Sequence, residues 1–102
     1  MIAPVREPLF ELGVVVVTPA ALKVIKESGD ELDDYLGRHV RGDWGSVFAQ
    51  EQRRNDEAID SGERISSEFR AGNGIKIWVV TDAADSSGRR SRTTILLPSE
   101  AC

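Results

Sequence analysis

From Pro19 to Gly62 the apolar residues of this chain recur at helical spacing, and from Ile65 to Phe69 they alternate. Apolar positions at i, i+3 and i+4 line one stripe of a helix, whereas alternation lines one face of a strand. This single change of period divides the chain into a helical part and a sheet part. In the sheet part, Ile65, Ser67 and Phe69 alternate with Arg64, Ser66, Glu68 and Arg70. "AGNG" at 71–74 is a turn signal and "IKIWVVT" leads out of it, so residues 64–81 predict a β-hairpin. "DAADSSGRRSR" is a polar loop, and "TTILLP" predicts a last strand stopped by Pro98.

Between Thr18 and Gly62 the signals are helical. Thr18 supplies a capping hydroxyl, Pro19 suits the first helical position, and Ala21, Leu22 and Ile25 form an apolar stripe that Gly29 ends. Asp30 is placed to cap a second helix carrying Leu32, Tyr35, Leu36 and His39, with Gly42 as its terminator. A third helix is predicted from near Ser46 to about Asp60, with Phe48, Asn55 and Ile59 on one stripe, closed by Gly62. Before all of these, residues 1–11 form an extended lead-in with two prolines, and "LGVVVVTP" a strand. Four consecutive valines without alternation predict burial on both faces. The expected fold is α+β: an N-terminal strand, two to three helices, then a three-stranded antiparallel meander, with the helices packed on one sheet face. A length of 102 residues suits a single domain. The expected core is Leu9, Leu12, Val15, Val17, Leu22, Ile25, Leu36, Ile59, Ile65, Phe69, Ile77, Val79, Ile95 and Leu97.

The same sequence removes several functional classes. The longest apolar run, Val14 to Val17, is far below the roughly 20 residues of a membrane helix, and the N-terminal residues show no basic segment followed by an apolar signal core, so a cytoplasmic protein is expected. A lone cysteine, Cys102, forms no internal disulfide, and one histidine without a cysteine pair fits none of the common zinc motifs. No glycine-rich phosphate loop is present, and no metal or cofactor is expected. Net charge is −4, which weighs against a surface built for nucleic acid. Asp30, Glu31, Asp33 and Asp34 do not match a calcium loop. They form an acidic patch suited to a basic partner, and Arg89, Arg90 and Arg92 form a cationic one.

"RHVRGDWGS" at 38–46 admits two readings. In one it is a helix–helix corner, with Trp44 plugging the core and His39 hydrogen-bonded beside it. In the other His39, Arg41 and Asp43 face a groove as a proton-transfer and anion-binding group. Asn55 places an amide on a buried stripe, where it must find partners, and the expected role is to tie down the Gly42–Ser46 corner. Ser66, Ser67 and Thr81 form no recognisable nucleophile arrangement and are expected to be satisfied locally.

"LGVVVVTPAAL", "RHVRGDWG", Asn55, "SSEF", "KIWVVT" and "TTILLPSE" together resemble a family of small proteins carried by bacterial plasmids, prophages and integrative elements, often called plasmid-related proteins. The resemblance runs from Leu12 onward and departs in the arginine-bearing loop at 82–92 and in the ending "EAC". It brings no activity with it. Helices followed by a meander with basic strand residues also resemble the layout of RelE/ParE-like toxins, which implies metal-independent RNA cleavage using His39, Arg64, Arg70 and Lys76. The expectation from charge is instead a non-enzymatic accessory protein of a mobile element. It would bind a protein, such as one that itself binds nucleic acid, as an inhibitor or regulator. On that reading the contact residues are the acidic and cationic patches with Arg41, Asp43 and Trp44.

Overall fold

A computed structural model describes residues 8–101; the first seven residues of the expected lead-in, and Cys102, lie outside the described residues. The chain folds as α+β in the order β1 (Val14–Val17), α1 (Pro19–Glu27), α2 (Leu32–Val40), α3 (Ala49–Ser61), β2 (Ile65–Arg70), β3 (Lys76–Thr81) and β4 (Arg92–Leu96), followed by a 3-10 turn at Pro98–Glu100. The strands form one sheet in the order β1-β4-β3-β2. β2, β3 and β4 are an antiparallel meander, and β1 joins β4 in parallel, Val14 opposite Arg92 and Val17 opposite Ile95. The sheet is therefore mixed rather than a meander alone.

Local chemistry explains the helix boundaries. Thr18 accepts a hydrogen bond from the Ala21 N–H at 3.2 Å and donates to Glu100 at 2.7 Å, so the first helix cap and the last turn share one hydroxyl. Asp30 does not cap α2, whose N-cap is Glu31. Its carboxylate instead accepts from the Tyr35 hydroxyl at 2.5 Å, the Gly72 N–H at 2.9 Å and the Ser28 hydroxyl at 3.0 Å, joining α2 to the hairpin turn. These bonds, Tyr35 foremost, hold its pKa below the usual range. α3 starts later than the sequence suggests, and Phe48 is its N-cap at 84% exposure rather than a member of a buried stripe.

One face of the sheet packs on the helices. Phe69, Ile77, Val79 and Ile95 point into it and meet Ala21 and Ile25 of α1 and Tyr35 of α2, while Ile65 joins Trp44 and Ala58 in a smaller cluster beneath α3. Of the expected core, Ile25, Ile65, Phe69, Ile77, Val79 and Ile95 are fully buried, whereas Leu12, Val17, Leu22, Leu36, Ile59 and Leu97 are half-buried. Leu9 and Val15 are exposed. The valine run is not covered on both faces: β1 is an edge strand, and Val14, Val15 and Val16 are 67%, 41% and 41% exposed. Consecutive β-branched residues report strand propensity, and here that propensity comes without burial.

Candidate functional site

The helix-covered side holds a polar chain running through the core. His39 is fully buried, its Nδ1 2.6 Å from the Ser67 hydroxyl and its Nε2 2.8 Å from the Thr81 hydroxyl. Thr81 is in turn 2.8 Å from Thr93, which donates to the Leu12 carbonyl at 2.7 Å. A hydroxyl has one proton to give, so the direction of every link follows. Thr93 spends its proton on Leu12, Thr81 therefore donates to Thr93, and Nε2–H of a neutral His39 donates to Thr81. Nδ1 is left to accept from Ser67. Burial, with the Arg90 cation adding to it, pushes the His39 pKa down to about 3. A protonated ring would also displace the Ser67 proton from its only use in this chain. Phe10 and Trp44 close over the imidazole with ring centroids at 5.2 and 5.8 Å.

His39 thus faces no groove, and neither the proton-transfer group nor the toxin-like set is assembled around it. The corner reading of "RHVRGDWGS" describes what the structure contains. The Trp44 Nε1–H donates to Asp56 at 3.0 Å, and Asp43 pairs with Arg38 at 2.8 Å while accepting from the Gly45 N–H at 3.1 Å. The Arg38 hydrogen bond is the chief reason Asp43 stays ionised below the usual carboxylate range. Gly45 has φ +72°, and a Cβ there would fall 2.0 Å from the Glu68 carbonyl oxygen. Only glycine lets the corner lie against β2. Arg41 ends α2 with its guanidinium close to Gly37.

Two further expectations change partners. The Asn55 amide reaches β2, donating to the Ser66 carbonyl at 2.7 Å and accepting from its N–H at 3.1 Å, rather than the Gly42–Ser46 corner. A planar amide offers one donor and one acceptor side by side, which is what an outward-facing strand residue presents. Ser67 and Thr81 are satisfied through His39, far away in sequence, not locally. The cationic patch is also divided. Arg90 is 5% exposed, and its guanidinium donates to the carbonyls of Ala58 at 2.7 Å, Glu63 at 2.8 Å and Asp82 at 3.1 Å, clamping the end of α3 to the meander. Arg89 stays exposed and lies 3.9 Å from Glu11, and Arg92 stands exposed on the other face of the sheet.

Among the described residues no α-helix packs on that other face. By strand alternation it presents Ser66, Glu68 and Arg70 of β2, Lys76, Trp78 and Val80 of β3, and Thr94 and Leu96 of β4. With Ser46, Val47, Phe48, Glu51 and Ala101 they line a groove of about 730 Å³. Arg64, Arg70 and Lys76 all line it. Three of the four residues implied by the toxin resemblance therefore converge, and His39 lies on the opposite side of the sheet. Glu68 is engaged, accepting from Trp78 Nε1 at 3.0 Å with Lys76 at 4.0 Å, and Glu51 pairs with Arg54 at 3.1 Å. Arg64 and Arg70 have no ion-pair partner among the described residues. Sequence reasoning missed Phe48, Trp78 and Leu96 as groove residues. The available signal was that "IKIWVVT" and "TTILLP" are apolar at both parities, which a simple solvent face does not need.

The acidic patch is smaller than expected, because Asp30 is committed to Tyr35, Gly72 and Ser28 while Glu31, Asp33 and Asp34 stand exposed at the start of α2. Among the described residues, no group of three or more His, Cys, Asp or Glu side chains converges to hold a metal ion, and no helix is long and apolar enough to cross a membrane. The chain matches no protein-family model, and comparison with curated proteins and with solved structures gave no significant match.

Proposed function

We propose that this protein is a non-enzymatic binding protein that seats a segment of another protein across the open face of its sheet. The observation that carries this reading is the groove's anatomy. Its centre is apolar, formed by Val47, Trp78, Val80 and Leu96 with Phe48 standing out beside them, and its ends carry Arg64 and Arg70 without ion-pair partners among the described residues. Apolar centres with charged rims are the pattern of protein interfaces, and exposed aromatics serve as their anchors. The acids of the groove are already engaged, so the charge left over is positive. The fitting partner segment is extended, with apolar side chains flanked by carboxylates. Glu31, Asp33 and Asp34, on α2, then contribute long-range steering rather than contact. The resemblance to plasmid- and prophage-borne proteins suits an inhibitor or regulator working in a bacterial cytoplasm.

The test replaces Phe48 by a photo-crosslinking amino acid, with the same replacement at Glu31 as a control, in bacterial cells. The expected result is a discrete protein adduct from position 48 that Arg64→Glu with Arg70→Glu abolishes. Adducts from position 31 alone would return the contact to the acidic helix. RNA recovered at position 48, together with RNA cleavage by the purified protein, would replace binding with the nuclease reading.

A further inference from the structure

The two edges of the sheet are treated in opposite ways. On β2 two of the three outward-facing residues are satisfied: the Asn55 amide covers both backbone groups of Ser66, the Glu68 N–H donates to the Trp44 carbonyl at 3.1 Å, and the Glu68 carbonyl accepts from the Ser46 N–H at 2.7 Å. On β1 nothing comparable exists among the described residues. Val14 and Thr18 donate to the Ser91 and Ile95 carbonyls on the β4 side at 3.0 Å each. In a parallel ladder alternate residues bond the neighbour, so the N–H and C=O groups of Val15 and Val17 point away from β4, toward the free edge. Proteins normally blunt such an edge with a lysine, a proline, a bulge or a covering segment. Val14–Val17 contains no charge and no proline, and its side chains are up to 67% exposed.

We infer that β1 is the self-association edge of this protein, pairing antiparallel with β1 of a second copy about a two-fold axis at Val16. In that register Val15 and Val17 of one copy exchange both backbone hydrogen bonds with Val17 and Val15 of the other. Val16 then faces Val16 of the second copy as a non-hydrogen-bonded pair. A four-valine strand is its own match in this arrangement. The second copy is favoured over a foreign strand by closure. An added peptide leaves its own outer edge unpaired, whereas two copies joined at β1 leave only the two β2 edges, each covered at Ser66 by Asn55 and at Glu68 by the Trp44–Ser46 segment. The four-stranded sheet doubles and growth stops there. Paired strands put matching residues on the same side, so the two open faces become one continuous surface. This goes beyond the proposed function and does not depend on it, since neither Val15 nor Val16 lines the groove.

Sedimentation of the full chain tests it, with a species of about twice 11.2 kDa expected. Val15→Pro removes only a donor that faces the free edge and should raise the dissociation constant about tenfold or more. Val16→Lys sets like charges opposite each other at an exposed position and should do the same, which decides the matter if Val15→Pro does not fold. In a Cys102→Ser background, Val16→Cys should form a dimer disulfide on mild oxidation, because such a strand pair holds Cα atoms about 4.5 Å apart, within the range of about 4.4 to 6.8 Å that a disulfide spans. A chain that stays monomeric at several hundred micromolar overturns the inference. A dimer that neither Val15→Pro nor Val16→Lys weakens, or that the Val16→Cys substitution does not cross-link, overturns it equally.

Discussion

Lowering the pH should destabilise this protein well before its carboxylates titrate, and a single side chain sets the size of the effect. The His39 pKa is depressed from 6.5 to about 3, so between those values the unfolded chain binds a proton that the folded chain does not. The stabilisation is complete above the unfolded pKa and is lost as pH falls toward the folded one. Integrating one proton from about pH 7 to about pH 5 gives a loss of about 2 kcal/mol, with a limiting slope of about 1.4 kcal/mol per pH unit. That figure depends on the unfolded pKa and is insensitive to how far below about pH 4 the folded ring titrates. Against a total of roughly 5 to 15 kcal/mol for a domain of this size, the change is large. Asp30, Asp43, Asp85 and Glu100 are also held low by hydrogen bonds, but carboxyls depressed from their usual range contribute only in more acidic solution. Urea titrations at several pH values measure the slope, and the His39→Gln protein, which keeps an amide donor and cannot titrate, should lose the dependence. Wild-type stability unchanged between about pH 7 and pH 5, or a His39 ring signal that titrates near about 6.5 in the folded state, would refute the sealed neutral imidazole.

Arg90→Met should destabilise by about 3 kcal/mol despite keeping the apolar stem, because the carbonyls of Glu63 and Asp82 lose the guanidinium that donates to them inside the protein and that of Ala58 is left with the Gly62 N–H alone; thermal melting checks it. Trp44→Ala should cost about 3 to 5 kcal/mol, and an unchanged melting point would move the ring out of the core. Asn55→Leu adds apolar surface yet should cost about 1 to 3 kcal/mol and increase aggregation, since it uncovers the Ser66 backbone on the β2 edge; turbidity during a thermal ramp reads the second effect.

The legible part of the fold was the part governed by periodicity. Ile65, Phe69, Ile77, Val79 and Ile95 announced a covered sheet face because alternation is a local property. Thr18 and Pro19 announced a helix start because capping is local too. Partnership is not. Nothing near Arg90 in sequence distinguishes it from Arg89 and Arg92, yet it alone turns inward, toward carbonyls brought together by the meander. Asn55 was readable as a buried amide, while its choice of Ser66 over the nearby corner depended on where β2 lies along α3. The valine run misled because its composition is the same for a central strand and for an edge. The groove was only half legible. Arg64, Arg70 and Lys76 stand out by charge, but their apolar companions Trp78, Val80 and Leu96 sit in strands where nothing local tells a groove from a covered face.

Of the described strands, β1 leaves the ribosome first, and β4, its only neighbour among the described residues, leaves last. Contacts so far apart in sequence form slowly, because all the intervening chain must be closed into a loop first. For most of its synthesis this protein therefore carries four valines with nowhere to go, while its helices and the β2–β3 hairpin can already form. The nascent chain is most vulnerable to aggregation just before β4 emerges, and slowing translation anywhere between the two strands prolongs that vulnerable interval without helping the sheet to close.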